Sequence, residues 1–393
     1  VAVKVAVAGL DIGTSRVVAA VARSAAPGRS PVVGACPSLG VRKGVVVDVD
    51  GVARAVRQAV DLAARAAGVR VDAVHVGFSG QGVNVLTRRA EVPLGPQGRV
   101  TAGDVADALQ MLRCADVPPG RIVLQVLPVE FSLDGVPFKG NPVGRRCSRL
   151  VLEARVITAD SQLVERLIEG VTKAGLKAVE VIPGPVVAAE GVLRAAEKEL
   201  GAALVDMGGG TTAVALFKGG ALRDMAVIPV GGDHITADLA IGLRTSLGEA
   251  EEIKRGLGLE PRAGAGLAGE KGRDAGGVPV RAGTPFLAGD GLQAAGQIVA
   301  FRVQEILELV RETLGRLAGG PELPGGVVLC GGGSLLRGLA ERAPGVLGLP
   351  VRVAQDPDVQ AACWLARRAV KRAGLEGRRR QGIAAGIFAA FIT

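Results

Sequence analysis

The sequence predicts an α/β protein built as two halves, with a small β-α-β-β unit inserted into the first. Three observations carry this. Apolar residues make up 48% of the 393 residues, mostly Ala and Val, and fall in alternating strand-like and helix-like stretches. Two glycine-rich turns lie far apart, Gly9-Leu10-Asp11-Ile12-Gly13-Thr14-Ser15 and Asp206-Met207-Gly208-Gly209-Gly210-Thr211-Thr212. Each follows an apolar strand run and leads into a second one. Residues 83–158, finally, have a pattern of their own between two stretches of the first half. A chain of this length buries a large core and holds at least two domains.

In order along the chain, residues 3–8 and 17–21 are the strands of the first hairpin. Residues 50–67 are a helix, because Val52, Val56, Ala59, Val60 and Ala63 share one face and Arg54, Arg57 and Asp61 another. Residues 71–78 are a strand, turned by Ser79-Gly80-Gln81-Gly82. In the inserted unit, residues 83–91 alternate as a strand, and Thr101 with Asp104 opens a helix to 113. Two further strands follow there, 122–133, interrupted at Pro128, and 150–158. Residues 160–173 are helical, 178–182 a strand, and 187–199 a helix leading into the second hairpin, with strands 202–205 and 213–217. The stretch 238–256 includes a helix with charged faces, and 256–285, rich in Gly and Ala, reads as a loop or a small sheet. Residues 292–317 form a long helix with Ile298, Phe301, Ile306, Leu309 and Val310 on its apolar side. A strand, 327–329, enters a third glycine turn, Cys330-Gly331-Gly332-Gly333-Ser334, and 357–373 is the last helix before the tail.

The chemistry lies in the set of three turns. Glycine lets backbone N–H groups approach phosphate oxygens closely, and an Asp at a strand exit can hold a hydrated magnesium ion beside them. Gly208, Gly210 and Ala213 also fit a dinucleotide-binding pattern, but that pattern needs a helix next, and a strand follows instead. No G-x-x-x-x-G-K-[ST] motif occurs. Only 2% of residues are aromatic, with one Trp and no Tyr, which argues against stacking on nucleic acid. The net charge of +9 reflects either compositional bias or attraction to an anionic membrane or acidic partner. Five cysteines without C-x-x-C spacing and two isolated histidines, His75 and His234, form neither a zinc site nor a disulfide framework. All five cysteines are expected to be core thiols in a reducing cytoplasm. Neither a signal peptide nor a membrane-spanning segment is expected, since no apolar run is of spanning length.

The three turns resemble the phosphate-1, phosphate-2 and adenosine motifs of the actin/Hsp70/sugar-kinase superfamily. More closely, the chain resembles the FtsA family of bacterial cell-division proteins. This second likeness rests on Leu127-Pro128-Val129-Glu130-Phe131-Ser132-Leu133-Asp134-Gly135 and on Asn141-Pro142-Val143-Gly144 with Arg149-Leu150. It rests also on residues 227–240, on Glu251 to Lys254, and on Arg302-Val303-Gln304-Glu305-Ile306. The resemblance implies an actin-like (ribonuclease H-like) two-domain ATPase fold. Its first half would comprise residues 1–82 and 159–200 around the inserted subdomain, 83–158. Its second half would comprise 201–233 and 306–373 around a smaller subdomain, 234–305, with a tail at 374–393. It implies ATP and Mg2+ in the cleft, with Asp11 and Asp206 on the metal side. Gly13, Thr14, Ser15, Gly208, Gly209, Gly210, Thr211 and Thr212 would lie around the phosphates. Glu251 and Lys254 would meet the nucleoside, and Gly332, Gly333 and Ser334 the adenosine.

The implied partners are the C-terminal tail of FtsZ on residues 234–305, further copies of the chain in a polymer, and later division proteins. The implied location is the cytoplasmic face of the membrane at the division site. Two departures bear on catalysis. Ala213 stands where the family usually has Asp, and Gly184 where many relatives have Glu before Pro185. A positioned carboxylate base is worth about 10²–10⁴-fold, so slow hydrolysis at most is expected, and no catalytic residue is assigned. In the tail, Arg378, Arg379 and Arg380 precede Ile383, Ile387, Phe388 and Phe391, spaced to share a helical face that could lie in a membrane interface. The rivals are a pilus-assembly ATPase of similar fold binding a pilus partner peptide, an Hsp70-type chaperone and a sugar kinase. The division-type insertion motifs and the tail weigh against the first. The second lacks residues for a peptide-binding domain, and the third lacks a cleft base.

Overall fold

The computed structural model describes residues 5–22, 30–96, 98–114, 116–259, 290–319 and 323–380. Two five-stranded sheets with the same strand order form its frame. In the first, β1 (Val5–Ile12), β2 (Arg16–Val21) and β3 (Val32–Pro37) are an antiparallel meander, and β6 (Arg70–Phe78) and β11 (Lys177–Pro183) extend it in parallel beyond β1. In the second, β12 (Ala202–Met207), β13 (Thr212–Lys218) and β14 (Ala221–Ile228) form the meander, and β15 (Val327–Cys330) and β16 (Val351–Val353) extend it beyond β12. The two glycine hairpins thus occupy equivalent places.

Both faces of each sheet are covered, which is why the central strands read as continuous apolar runs. Along β2, Val17, Ala19 and Val21 join the core beneath α1 (Val49–Ala67), whereas Val18 and Ala20 pack with Ala362 and Ala366 of α10 (Gln360–Arg380). The last helix therefore returns to the first half. There Gly9 permits the close approach, because a Cβ would overlap the Ala362 carbonyl oxygen. Along β12, Ala203, Val205 and Met207 face α8 (Asp290–Ala318), and Ala202 and Leu204 face α4 (Gly184–Val192). Helix α3 (Ser161–Lys173), capped by Asp160, packs on α1.

The inserted unit contains β7 (Asn84–Pro93), α2 (Ala102–Arg113), β8 (Arg121–Leu133), β9 (Val136–Phe138) and β10 (Arg149–Asp160), in sheet order β7-β10-β8-β9. Its own core joins Leu109 and Leu112 of α2 to Phe131, Leu150, Leu152 and Val156. Thr101 and Asp104 form the expected capping box. Pro128 does not interrupt β8. The β8–β10 register shifts beside it, and β9 pairs only with residues 131–133, so its missing N–H falls at a bulge on an open edge.

Other expectations are corrected. The helix expected over 187–199 is two, α4 and α5 (Ala195–Leu200). Glu197 accepts from the Arg194 N–H at 2.7 Å, and Arg352 binds both Glu197 and the Val192 carbonyl, which restarts the helix. The charged helix expected within 238–256 is present as α7 (Leu247–Leu257), capped by Ser246, and the start of that stretch belongs to a separate helix, α6 (Gly232–Gly242). On α8 the buried side is Val299, Val303, Ile306, Leu307 and Val310, while Phe301 is 75% exposed. Cys114 is exposed rather than a core thiol. Short elements that the pattern did not announce are β3, β14, β16, α9 (Leu339–Leu347) and a two-stranded ribbon, β4 (Val41–Arg42) with β5 (Val45–Val46). Most of 256–285, and Ile383, Ile387, Phe388 and Phe391, lie outside the described residues. Arg378 to Arg380 end α10. Among the described residues no helix is long and apolar enough to cross a membrane.

Candidate functional site

The two glycine turns are closed by the same bond. Gly13 N–H donates to Arg16 O at 3.0 Å, and Gly208 N–H donates to Thr211 O at 2.9 Å. The turns meet across the junction of the halves. Ser15 Oγ donates to Asp233 Oδ1 at 2.8 Å, and Asp233 N–H donates to Gly209 O at 2.8 Å. A Cβ on Gly209 would overlap Ser15 Oγ, and one on Gly210 would come within 2.6 Å of Thr14 Oγ1. These glycines therefore permit the approach of one turn to the other. The hydroxyls divide. Those of Thr14 and Ser15 lie between the turns, accepting from Gly44 N–H and donating to Asp233. Thr211 donates to Ser79 O at 3.3 Å, and Thr212 is fully buried and donates to Val230 O at 2.8 Å, away from the turn.

Asp11 and Asp206 end β1 and β12. Burial pushes the Asp11 carboxyl up to about 6, against the pull of Arg16. Burial pushes Asp206 up to about 7, with the charge of Asp11 adding to it and a hydrogen bond from Cys330 opposing. Burial and the two carboxylates raise the Cys330 thiol well above its ordinary value. Two desolvated carboxyls that repel each other suit a divalent cation. Among the described residues no group of three or more His, Cys, Asp or Glu is placed to hold a metal, so an ion here would take its remaining ligands from water and phosphate, the habit of Mg2+. Ala213 pairs with Asp206 across β12–β13 and is buried, so a carboxylate at 213 would project beside Asp206. At Gly184 a Cβ would overlap Ser79 Oγ. Neither position supplies a base.

The third turn is a single 3-10 turn, 332–335. Gly331 adopts φ 80°, and a Cβ there would overlap Asp206 Oδ1, so this turn abuts the carboxylate pair. Ser334 is buried and donates to Gly331 O at 2.7 Å, bracing the turn from inside. Gly332 faces open space, and Gly333 lies against Met207. Lys254 pairs with Glu251 at 2.6 Å and donates to Thr236 Oγ1 and Gly232 O at 2.8 and 3.1 Å, which ties α7 to the start of α6. Sequence reasoning missed the tip of the β4–β5 ribbon, Lys43-Gly44, which touches both turns. Its signal was a polar pair between Val41-Arg42 and Val45-Val46.

The family model described as "Cell division protein FtsA" matches residues 203–365, and that described as "SHS2 domain inserted in FTSA" matches residues 80–158. The chain is 33% identical over 379 residues to the cell division protein FtsA of Bacillus subtilis (strain 168), covering 94% of this chain and 84% of that protein. It is 34% identical over 373 residues to the cell division protein FtsA of Pseudomonas aeruginosa, covering 94% and 87%. Among solved structures it superposes on a PilM-PilN type IV pilus biogenesis complex with TM-score 0.64 at 18% identity, covering 92% of this chain and 98% of that one. MreB5 of Spiroplasma citri bound to ADP gives 0.52 at 15% identity, covering 97% and 98%. These structural likenesses show an actin-like fold.

Proposed function

Because the chain belongs to the FtsA family of cell-division proteins, we propose that it is a nucleotide-dependent scaffold that links the FtsZ ring to the membrane. The observation that carries the nucleotide part is the meeting of the two hairpin turns beside the Asp11–Asp206 pair. ATP lies between the halves in this reading. The turns Gly13 to Ser15 and Gly208 to Thr211 lie around its phosphates and offer backbone N–H groups other than those of Gly13 and Gly208, which close the turns. Asp11 and Asp206 are on the metal side, and Gly332 and Gly333 wall the adenosine. Bound Mg2+ supplies charge neutralisation for the phosphates. Ser334, Thr212 and Lys254 serve the site indirectly, by bracing its turns. With Ala213 and Gly184 in place of carboxylates, hydrolysis is slow, and turnover above the common enzyme median of ~10 per second would contradict this.

Nucleotide favours a closed, polymer-forming arrangement only as far as it binds that arrangement more tightly. The FtsZ tail docks on the smaller subdomain of the second half. There Ile241 and Phe301 are 77% and 75% exposed beside the Arg302–Asp238 pair, 2.6 Å apart. Later division proteins are further partners. Arg378 to Arg380 and the apolar residues after them attach the chain to anionic lipid on the cytoplasmic side. The test is co-sedimentation of FtsZ with anionic liposomes in Mg-ATP, with and without this chain. FtsZ should pellet only when the chain is present, and deletion of residues 378–393 should abolish it. If the chain pellets alone, the partner is wrong and a pilus-type peptide is next to try. If neither pellets, the tether is refuted.

A further inference from the structure

The β4–β5 ribbon carries one residue that the proposed site has not used. Its tip, Lys43-Gly44, is a two-residue turn with both φ angles positive, 48° and 73°. Such turns favour Gly, which has no Cβ to crowd the backbone carbonyl, or Asn, whose amide hydrogen-bonds locally, at the first position. Lys43 accepts that cost in the middle of the candidate site. Gly44 N–H donates to Thr14 Oγ1 at 3.0 Å, in the first glycine turn. A Cβ built on Gly210, in the second, would lie 2.9 Å from Lys43 Cα. A Cβ on Gly44 would lie 2.9 Å from Gly80 Cα and 3.3 Å from Thr211 Cγ2. Gln81 Nε2 donates to Lys43 O at 3.4 Å from behind. The tip is therefore fixed against three turns at once.

Charge completes the case. The other cations beside the turns are committed, Arg16 to Asp358 at 2.8 Å and Lys254 to Glu251 at 2.6 Å. Lys43 is exposed, and its ammonium forms no ion pair with any described residue. Its place along the site is also defined. The third glycine turn lies against Asp206 and Met207, whereas Lys43 lies against Gly210 and its partner Gly44 against Thr211. A nucleotide with its adenosine at the third turn would run its phosphates from the first pair toward the second.

We infer that Lys43 binds the terminal phosphate of a nucleoside triphosphate, so that the β4–β5 tip discriminates triphosphate from diphosphate. This rests on the nucleotide reading of the site. A charge-assisted hydrogen bond of this kind is worth roughly 10- to 100-fold in affinity. The test is binding of ATP and of ADP, each with Mg2+, to the full chain and to Lys43→Ala, Lys43→Gly and Lys43→Arg. Lys43→Gly removes the ammonium while suiting the positive φ, so its fold is retained, which a thermal melt verifies. Lys43→Ala and Lys43→Gly should both weaken ATP about 10- to 100-fold and ADP less than about 3-fold, and Lys43→Arg should keep the preference. Unchanged ATP binding in both variants, or equal losses for ATP and ADP, would overturn the inference and leave the nucleotide reading standing. A wild-type chain that binds neither nucleotide would overturn both.

Discussion

Replacing Asp206 with Asn should stabilise the protein at alkaline pH when metal and nucleotide are absent. The Asp206 carboxyl is held at about 7 in the fold against 3.8 as its ordinary value. Its ionised form is thus disfavoured by roughly 3 pKa units, or about 4 kcal/mol as an upper bound. Screening through the partly open side of the site leaves roughly 1–3 kcal/mol. The sign follows from the raised value. Below the unfolded pKa the group is protonated in both states and costs nothing. Stability is lost as pH rises from about 3.8 and the loss is complete a little above 7, because the unfolded chain ionises first. Asp11, raised to about 6 by burial, contributes in the same direction. Asn keeps the shape and can still accept from Cys330. Urea unfolding at pH 5 and pH 8, without Mg2+, is the assay. The wild type should lose roughly 1–2 kcal/mol more than Asp206→Asn between those pH values. Parallel pH dependences, or a variant less stable than wild type at pH 8, would refute the electrostatic account of this pair.

Three further changes test the packing and the site. Gly9→Ala places a methyl on the backbone of α10, which cannot rotate away, so it should cost about 1–3 kcal/mol in thermal or urea unfolding and loosen the C-terminal helix from the first sheet. Leu152→Ala empties a fully buried place in the inserted sheet and should cost about 2–5 kcal/mol. Hydrogen exchange on this variant should show the loss concentrated in residues 84–160 rather than in either five-stranded sheet. Ala213→Asp adds a third carboxylate beside Asp206 and should destabilise the metal-free chain, with Mg2+ restoring more stability than it gives the wild type, as read from thermal melts at pH 8.

Where the sequence and the structure agree or part is itself physical. The two hairpins were legible because everything that makes them is local: an apolar run, an Asp, glycines, and a second apolar run. The Thr101–Asp104 cap was legible for the same reason. What the sequence could not announce is set by partners distant in the chain. The helix expected to run through 193 and 194 breaks because Arg352, on the far strand β16, captures Glu197 and the Val192 carbonyl. Thr212 and Ser334 are site residues by motif, yet their hydroxyls are spent on Val230 and Gly331, a choice of direction that spacing does not encode. Phe301 fits the helical period but misses the buried stripe of α8, because that stripe is drawn by Ile306, Leu307 and Val310 against the second sheet. Lys43 is the furthest case. In sequence it is one lysine in a short polar turn, 29 positions after Thr14 and 167 before Gly210. Its chemistry appears only when the ribbon is folded between them. The glycines at 209 and 210 then have a second role. They shape a turn, and they also clear the space in which Ser15, Thr14 and Lys43 converge.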